Sequence, residues 1–202
     1  MYNVSVPMAV MDFVPVVFFG ITAALLRRDL FNKMSRQTFT MFASGTVFIF
    51  TAGLLKALWK LLYALGVCDF QALNTLFMPL QSIGFLLAGV SIVVMLAGKK
   101  IPVMAAPPVF AGTMVFIPMM VLGLGSVVAV LSVLAAKVRK KGIIILFVLS
   151  FLASLAMGGM ASQDSTQAWV NWVEQSLNCV GQGVLLAGVV LLDRNGLKEL
   201  KL

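Results

Sequence analysis

A chain of 202 residues that is 61% hydrophobic and only 11% charged excludes a soluble domain, because the charged shell such a fold needs (about 25% of residues) is missing. The net charge of +8 comes from short basic clusters between apolar stretches. That pattern suits the anionic cytoplasmic leaflet of a bilayer and excludes nucleic acid, since no basic stretch carries interleaved aromatics. There is no histidine, which excludes bis-histidine haem, His-containing zinc sites and Ser-His-Asp chemistry. Cys68 and Cys179 stand far apart with no clustered donors, so neither a metal site nor a disulfide is expected. No cofactor is expected.

The expected fold is all-α, a polytopic transmembrane helix bundle. The start, Met1-Tyr-Asn-Val-Ser, lacks the basic region of a signal peptide, so the first apolar stretch is read as a retained span. Span one covers about Val6–Leu26 and stops at Arg27-Arg28. Span two covers Thr38–Leu62 and span three Ala72–Gly98, ending at Lys99-Lys100. Ile101–Ala136 carries no charge and is broken by Pro102, Pro107, Pro108, Pro118, Gly123 and Gly125. It is too long for one span and just enough for two of about 18 residues. The last spans are Gly142–Met160 and Trp169–Leu192.

Charge decides how that ambiguous segment runs. If it crosses once, the basic clusters divide almost evenly between the two sides. If it doubles back, Arg27, Arg28, Lys33, Arg36, Lys99, Lys100, Lys137, Arg139, Lys140, Lys141, Arg194, Lys198 and Lys201 all share one side. Cytoplasmic loops carry the Lys/Arg excess. The sequence therefore predicts seven spans, or six plus a re-entrant hairpin, in the cell (inner) membrane, with the N-terminus outside and the C-terminus cytoplasmic.

An internal echo fits this count. Gly84–Val90 (GFLLAGV) is matched by Gly183–Val189 (GVLLAGV), Phe50–Leu54 by Phe151–Leu155, and Phe13–Pro15 by Phe116–Pro118. The reading is a 3+1+3 parallel repeat: residues 1–98 as a first three-helix half, 101–119 as a linker helix or hairpin, 120–192 as the second half, and 193–202 as a cytoplasmic tail. In layout this resembles the SWEET sugar transporters and, more distantly, seven-helix opsins. The motifs of those groups are absent. The first span ends Leu26-Arg27-Arg28-Asp29 rather than in Pro-Gln, and the last holds no lysine for a retinal Schiff base.

The last span is the most informative. Asn171, Glu174, Gln175, Asn178 and Gln182 form one polar stripe over about three helical turns. Lipid cannot satisfy such groups, so the stripe should face the bundle or a wet cavity; the plain alternative is hydrogen-bond glue between helices. Glu174 should sit about 10–15 Å below the outer surface, at the depth of Lys56, and an ion pair between them is expected. Asp12, Asn74 and Gln81 fall in the same outer half. The expected binding site is thus Asp12, Lys56, Asn74, Gln81, Asn171, Glu174, Asn178 and Gln182. Trp59, Trp169 and Trp172 are read as an interfacial belt. No nucleophile–base pair or phosphate loop is present, which argues against catalysis. The expected function is a small-solute transporter or permease; the alternative is a receptor or anchor subunit that binds a ligand, lipid or quinone and works with a partner protein. The expected partners are the bilayer, a small molecule or ion, and a cytoplasmic or membrane subunit.

Overall fold

The computed structural model describes residues 4–98, 113–160 and 168–200, and the described part is helical: α1 (Val6–Met11), α2 (Phe13–Leu30), a 3-10 turn (Phe31–Lys33), α3 (Arg36–Ala64), α4 (Gln71–Thr75), α5 (Phe77–Ala97), α6 (Thr113–Lys137), α7 (Gly142–Met160) and α8 (Ala168–Arg194). Six of its spans, with α1–α2 and α4–α5 each counted as one, are long and apolar enough to cross a membrane. The chain therefore has the make-up of a multi-pass membrane protein.

Local chemistry sets the element ends. Ser35 caps α3 by accepting the Thr38 N–H at 3.2 Å, filling one of the donors a helix start leaves open. The first span breaks at Asp12, three residues before Pro15, and the third breaks at Leu76, three residues before Pro79. Each proline lacks the N–H that would bond back to Met11 or Thr75, and its ring crowds that carbonyl. Pro118 falls in the first turns of α6, and the helix runs through it. Residues 119 and 120, the expected boundary between linker and second half, consequently lie inside one helix. At Gly98 the backbone turns left-handed (φ +62°) and closes α5, a conformation that glycine adopts without steric cost.

Side-chain contacts fix the helix directions. On α2 and α3, Gly20 faces Phe50 and Val16 faces Gly53, an antiparallel pair. Gly45 of α3 abuts Gly84 and Ala88 of α5 so closely that a Cβ on Gly45 would stand 2.7 Å from the Gly84 carbonyl oxygen. That pair is antiparallel too. Gly125 of α6 faces Phe151 of α7; Ala153 and Phe147 of α7 face Gly181 and Gly188 of α8. Finally Phe18 and Arg28 of α2 meet Gly183 and Asp193 of α8, so α2 and α8 run parallel.

These directions bring the ends of α2, α5, α6 and α8 and the starts of α3 and α7 to one end of the bundle, the Arg28 end. It follows that α5 and α6 are parallel, and that α5 stops and α6 starts at opposite ends. Of the segment on which the extra crossing or hairpin was expected, residues 101–119, residues 101–112 lie outside the described residues and 113–119 form the start of α6.

The six long helices form a closed ring in the order α2, α3, α5, α6, α7, α8. Its centre holds a cavity of about 30 Å³ walled by Phe19, Phe42, Ile49, Phe85, Leu124 and Leu131 among others. Thr22 and Thr46 also border it, but their hydroxyls donate to the Phe18 and Ala43 carbonyls at 2.8 Å. A space of one water's size with an apolar wall and no free polar partner stays dry. The heptapeptide echo does not carry into the packing: Gly84 abuts Ile49 and Gly45 of α3, whereas Gly183 abuts Phe18 of α2. Phe50 and Phe151 do correspond, each lying on a glycine of the preceding helix.

Candidate functional site

The break at Asp12 is what builds the site. It turns the Asp12 carboxylate against α3, where Lys60 Nζ lies 2.7 Å from Asp12 Oδ2 and both side chains are about nine-tenths buried (10% and 9% exposed). Lys56 lies one turn before Lys60 on the same face of α3. Its ammonium sits 4.2 Å above the centre of the Phe77 ring, a favourable cation–π placement in a water-poor setting. Phe77 is the first residue of α5, positioned there by the break at Leu76.

From α8, Glu174 lies within electrostatic range of Lys56, which also feels Lys60 and Asp12. Asp12 in turn reaches the field of Cys179, whose sulfur accepts the Gln175 amide at 3.9 Å. Two basic and two acidic groups from α1–α2, α3 and α8 thus share one neighbourhood. The expected Lys56–Glu174 ion pair is not made: Lys60 takes Asp12, Lys56 takes the Phe77 ring, and Glu174 has no hydrogen bond or ion pair among the described residues.

The polar stripe of α8 does turn inward. Asn171 and Gln175 are buried, Glu174, Asn178 and Gln182 are half-buried, and Trp169, Trp172, Val173, Ser176 and Val180 on the opposite face are exposed. Asn171 and Gln175 retain only 7% and 3% of their surface, which places them in packing rather than at a free surface. The side-chain oxygens of Gln81, Gln182 and Ser82 are buried with no hydrogen-bond partner among the described residues. Asn74 sits half-buried on α4; among the described residues no hydrogen bond or ion pair ties Asn74 or Gln81 to the charged group. Glu174 lines neither the dry central cavity nor the groove on the outer face of α8.

Of the three tryptophans, Trp169 and Trp172 are exposed as an interfacial belt requires, but Trp59 is only 3% exposed. Its indole N–H donates to Asp69 Oδ1 at 2.9 Å, and Asp69 also accepts the Gln71 amide at 2.8 and 2.9 Å. Trp59 therefore fastens the α3–α4 loop. Sequence reasoning missed Lys60, Gln175 and Cys179 as members of the cluster. The signal for Lys60 was its i+4 spacing from Lys56; that for Gln175 and Cys179 was their place on the polar stripe.

No protein-family model, curated protein or solved structure matches this chain.

Proposed function

We propose that this protein is a small-solute membrane transporter whose substrate contacts lie in the outer half of the bundle, centred on Glu174 and Lys56. One observation carries the reading: Glu174, half-buried on α8 and within electrostatic reach of Lys56, makes no ion pair or hydrogen bond among the described residues, although a charge left alone within a membrane costs several kcal/mol. A structural ion pair would close that gap. A site that takes up a polar or charged solute keeps its groups available, as Asp12 and Lys60 are not. The buried, partnerless oxygens of Gln81 and Gln182 add acceptors from α5 and α8.

Two further features support this frame. Ten described basic residues (Arg27, Arg28, Lys33, Arg36, Lys137, Arg139, Lys140, Lys141, Arg194 and Lys198) lie at the Arg28 end, while Lys56 and Lys60 lie toward the other. By the positive-inside bias the Arg28 end is cytoplasmic, the N-terminus is outside and the chain crosses an odd number of times, seven in our reading. The helix neighbours also obey a twofold pattern: α3 on α5 as α7 on α8, α2 on α3 as α6 on α7, and α5 on α6 as α8 on α2. Two parallel three-helix halves around a shared centre are a transporter arrangement.

A second reading rests on the groove lined by Trp172, Val173, Ser176, Leu177 and Val180. As an apolar, outward-facing surface it would seat a partner helix or lipid chain and make the protein an anchor or receptor subunit. Reconstitution separates the two. Purified protein in liposomes, offered a panel of radiolabelled amino acids, sugars, carboxylates and amines, should accumulate at least one class above protein-free liposomes. No accumulation, together with co-purification of a stoichiometric membrane subunit through the α8 groove, would favour the second reading.

A further inference from the structure

The Arg28 end is fastened by a set of contacts that the solute site does not use. Arg28 Nε lies 2.8 Å from Asp29 Oδ1 and Arg28 Nη2 lies 2.6 Å from Asp193 Oδ1. The Asp29 side chain is fully buried, while Asp193 is about three-quarters buried. Arg28 thus bridges the end of α2 to the end of α8 with two carboxylates, using the fork geometry of its guanidinium. A few residues on, Lys33 Nζ donates to the backbone carbonyls of Lys198 and Leu200 at 3.0 and 2.5 Å. The chain reaches that position by turning at Gly196 (φ +91°), which sends Leu197 into the core beside Leu30 and Leu192, all at 0% exposure.

We infer that residues 193–200 form a latch that holds the Arg28 end of the bundle shut by tying α8 and its tail to α2 and the turn after it. The contacts join helices from the two three-helix units, so breaking them loosens the α2–α8 seam at this end, while the α5–α6 seam stays packed. They lie at the end away from Asp12, Lys56 and Glu174. No ion pair ties α8 to α2 or α3 at that other end among the described residues. The latch's strength suits a device that opens: Arg28 keeps 51% of its side-chain surface, so water competes for the bridge, and the tail is held by the two Lys33 hydrogen bonds and by Leu197 and Leu200 against the core. Gly196 supplies the sharp turn, and any side chain there would strain it.

The inference rests on the reading that the bundle opens to pass a solute, but its test needs no solute. Cys68 and Cys179 are replaced by serine, and Leu131, which walls the central cavity at 0% exposure, is changed to cysteine as the probe. Purified protein in nanodiscs is treated with a membrane-impermeant maleimide. Arg28→Ala, Asp193→Asn, Lys33→Met and a deletion of residues 196–202 should each speed modification by about tenfold, as a minor open state of a few per cent becomes a major one. Arg28→Lys, which keeps one bridge, should fall between Arg28→Ala and the parent. A probe at Ala52, buried at 0% toward the other end, should be unchanged. Unchanged modification at position 131 in folded Asp193→Asn and tail-deleted protein would overturn the latch. So would an equal rise at position 52, which means general loosening. A latch that opens in a protein that moves no solute would leave the latch standing and remove the transport reading.

Discussion

Lys60 Nζ and Asp12 Oδ2 meet at 2.7 Å with both side chains about nine-tenths buried, and this pair, rather than one with Glu174, neutralises the carboxylate at the first helix break. Removing one partner strands the other charge in a water-poor site, at a cost of about 3–5 kcal/mol. Asp12→Asn and Lys60→Met should therefore each lower the detergent unfolding midpoint strongly. The double replacement Asp12→Leu/Lys60→Met should recover most of the loss, because two apolar groups leave no unpaired charge. Additive losses in the double variant would show that the two groups do not interact.

Packing gives a second prediction. A Cβ on Gly89 would stand 2.5 Å from the Gly123 carbonyl oxygen, against backbone that cannot swing aside. Gly89→Ala should force α5 and α6 apart and cost about 1–3 kcal/mol. Gly158→Ala on α7, where nothing lies within 4 Å, should be neutral or stabilise slightly through helix propensity. Thermal unfolding of the two variants side by side checks this; equal effects would mean the α5–α6 approach is looser than described.

Sidedness is tested by single cysteines at positions 28, 99 and 140. The parallel course of α5 and α6 and the clustering of basic groups predict that all three react with an impermeant reagent from the cytoplasmic side, and that a cysteine at Val4 reacts from outside. Modification of 99 and 140 from opposite sides would contradict both the topology and the parallel halves.

Much of this was legible in the sequence. The spans follow from apolar runs stopped by Arg27-Arg28, Lys99-Lys100 and Lys137–Lys141, and the helices end within a few residues of those marks. The inward turn of the α8 stripe follows from its spacing. Partner choice was less legible. The sequence pointed to a Lys56–Glu174 pair, whereas the break before Pro15 and the lean of α1 against α3 bring Asp12 to Lys60 instead. The GFLLAGV echo misled for a similar reason. Each heptapeptide faces the helices that the rest of the chain packs around it, so near-identical segments present Gly84 to α3 and Gly183 to α2. Trp59 escaped because its partner Asp69 comes from the following loop.

Transport through a site at Glu174 is the central claim, and uptake by Glu174→Gln protein tests it most directly. Glu174 makes no ion pair or hydrogen bond among the described residues, so losing its charge should leave the unfolding midpoint unchanged or raise it, since an unpaired, half-buried charge is gone. With the labelled solute that wild-type liposomes accumulate, Glu174→Gln should reduce initial uptake by about tenfold or more, equivalent to about 1.4 kcal/mol of lost interaction. Lys56→Met should do the same. Wild-type uptake by Glu174→Gln protein, reconstituted at equal density and equally folded, would contradict the account.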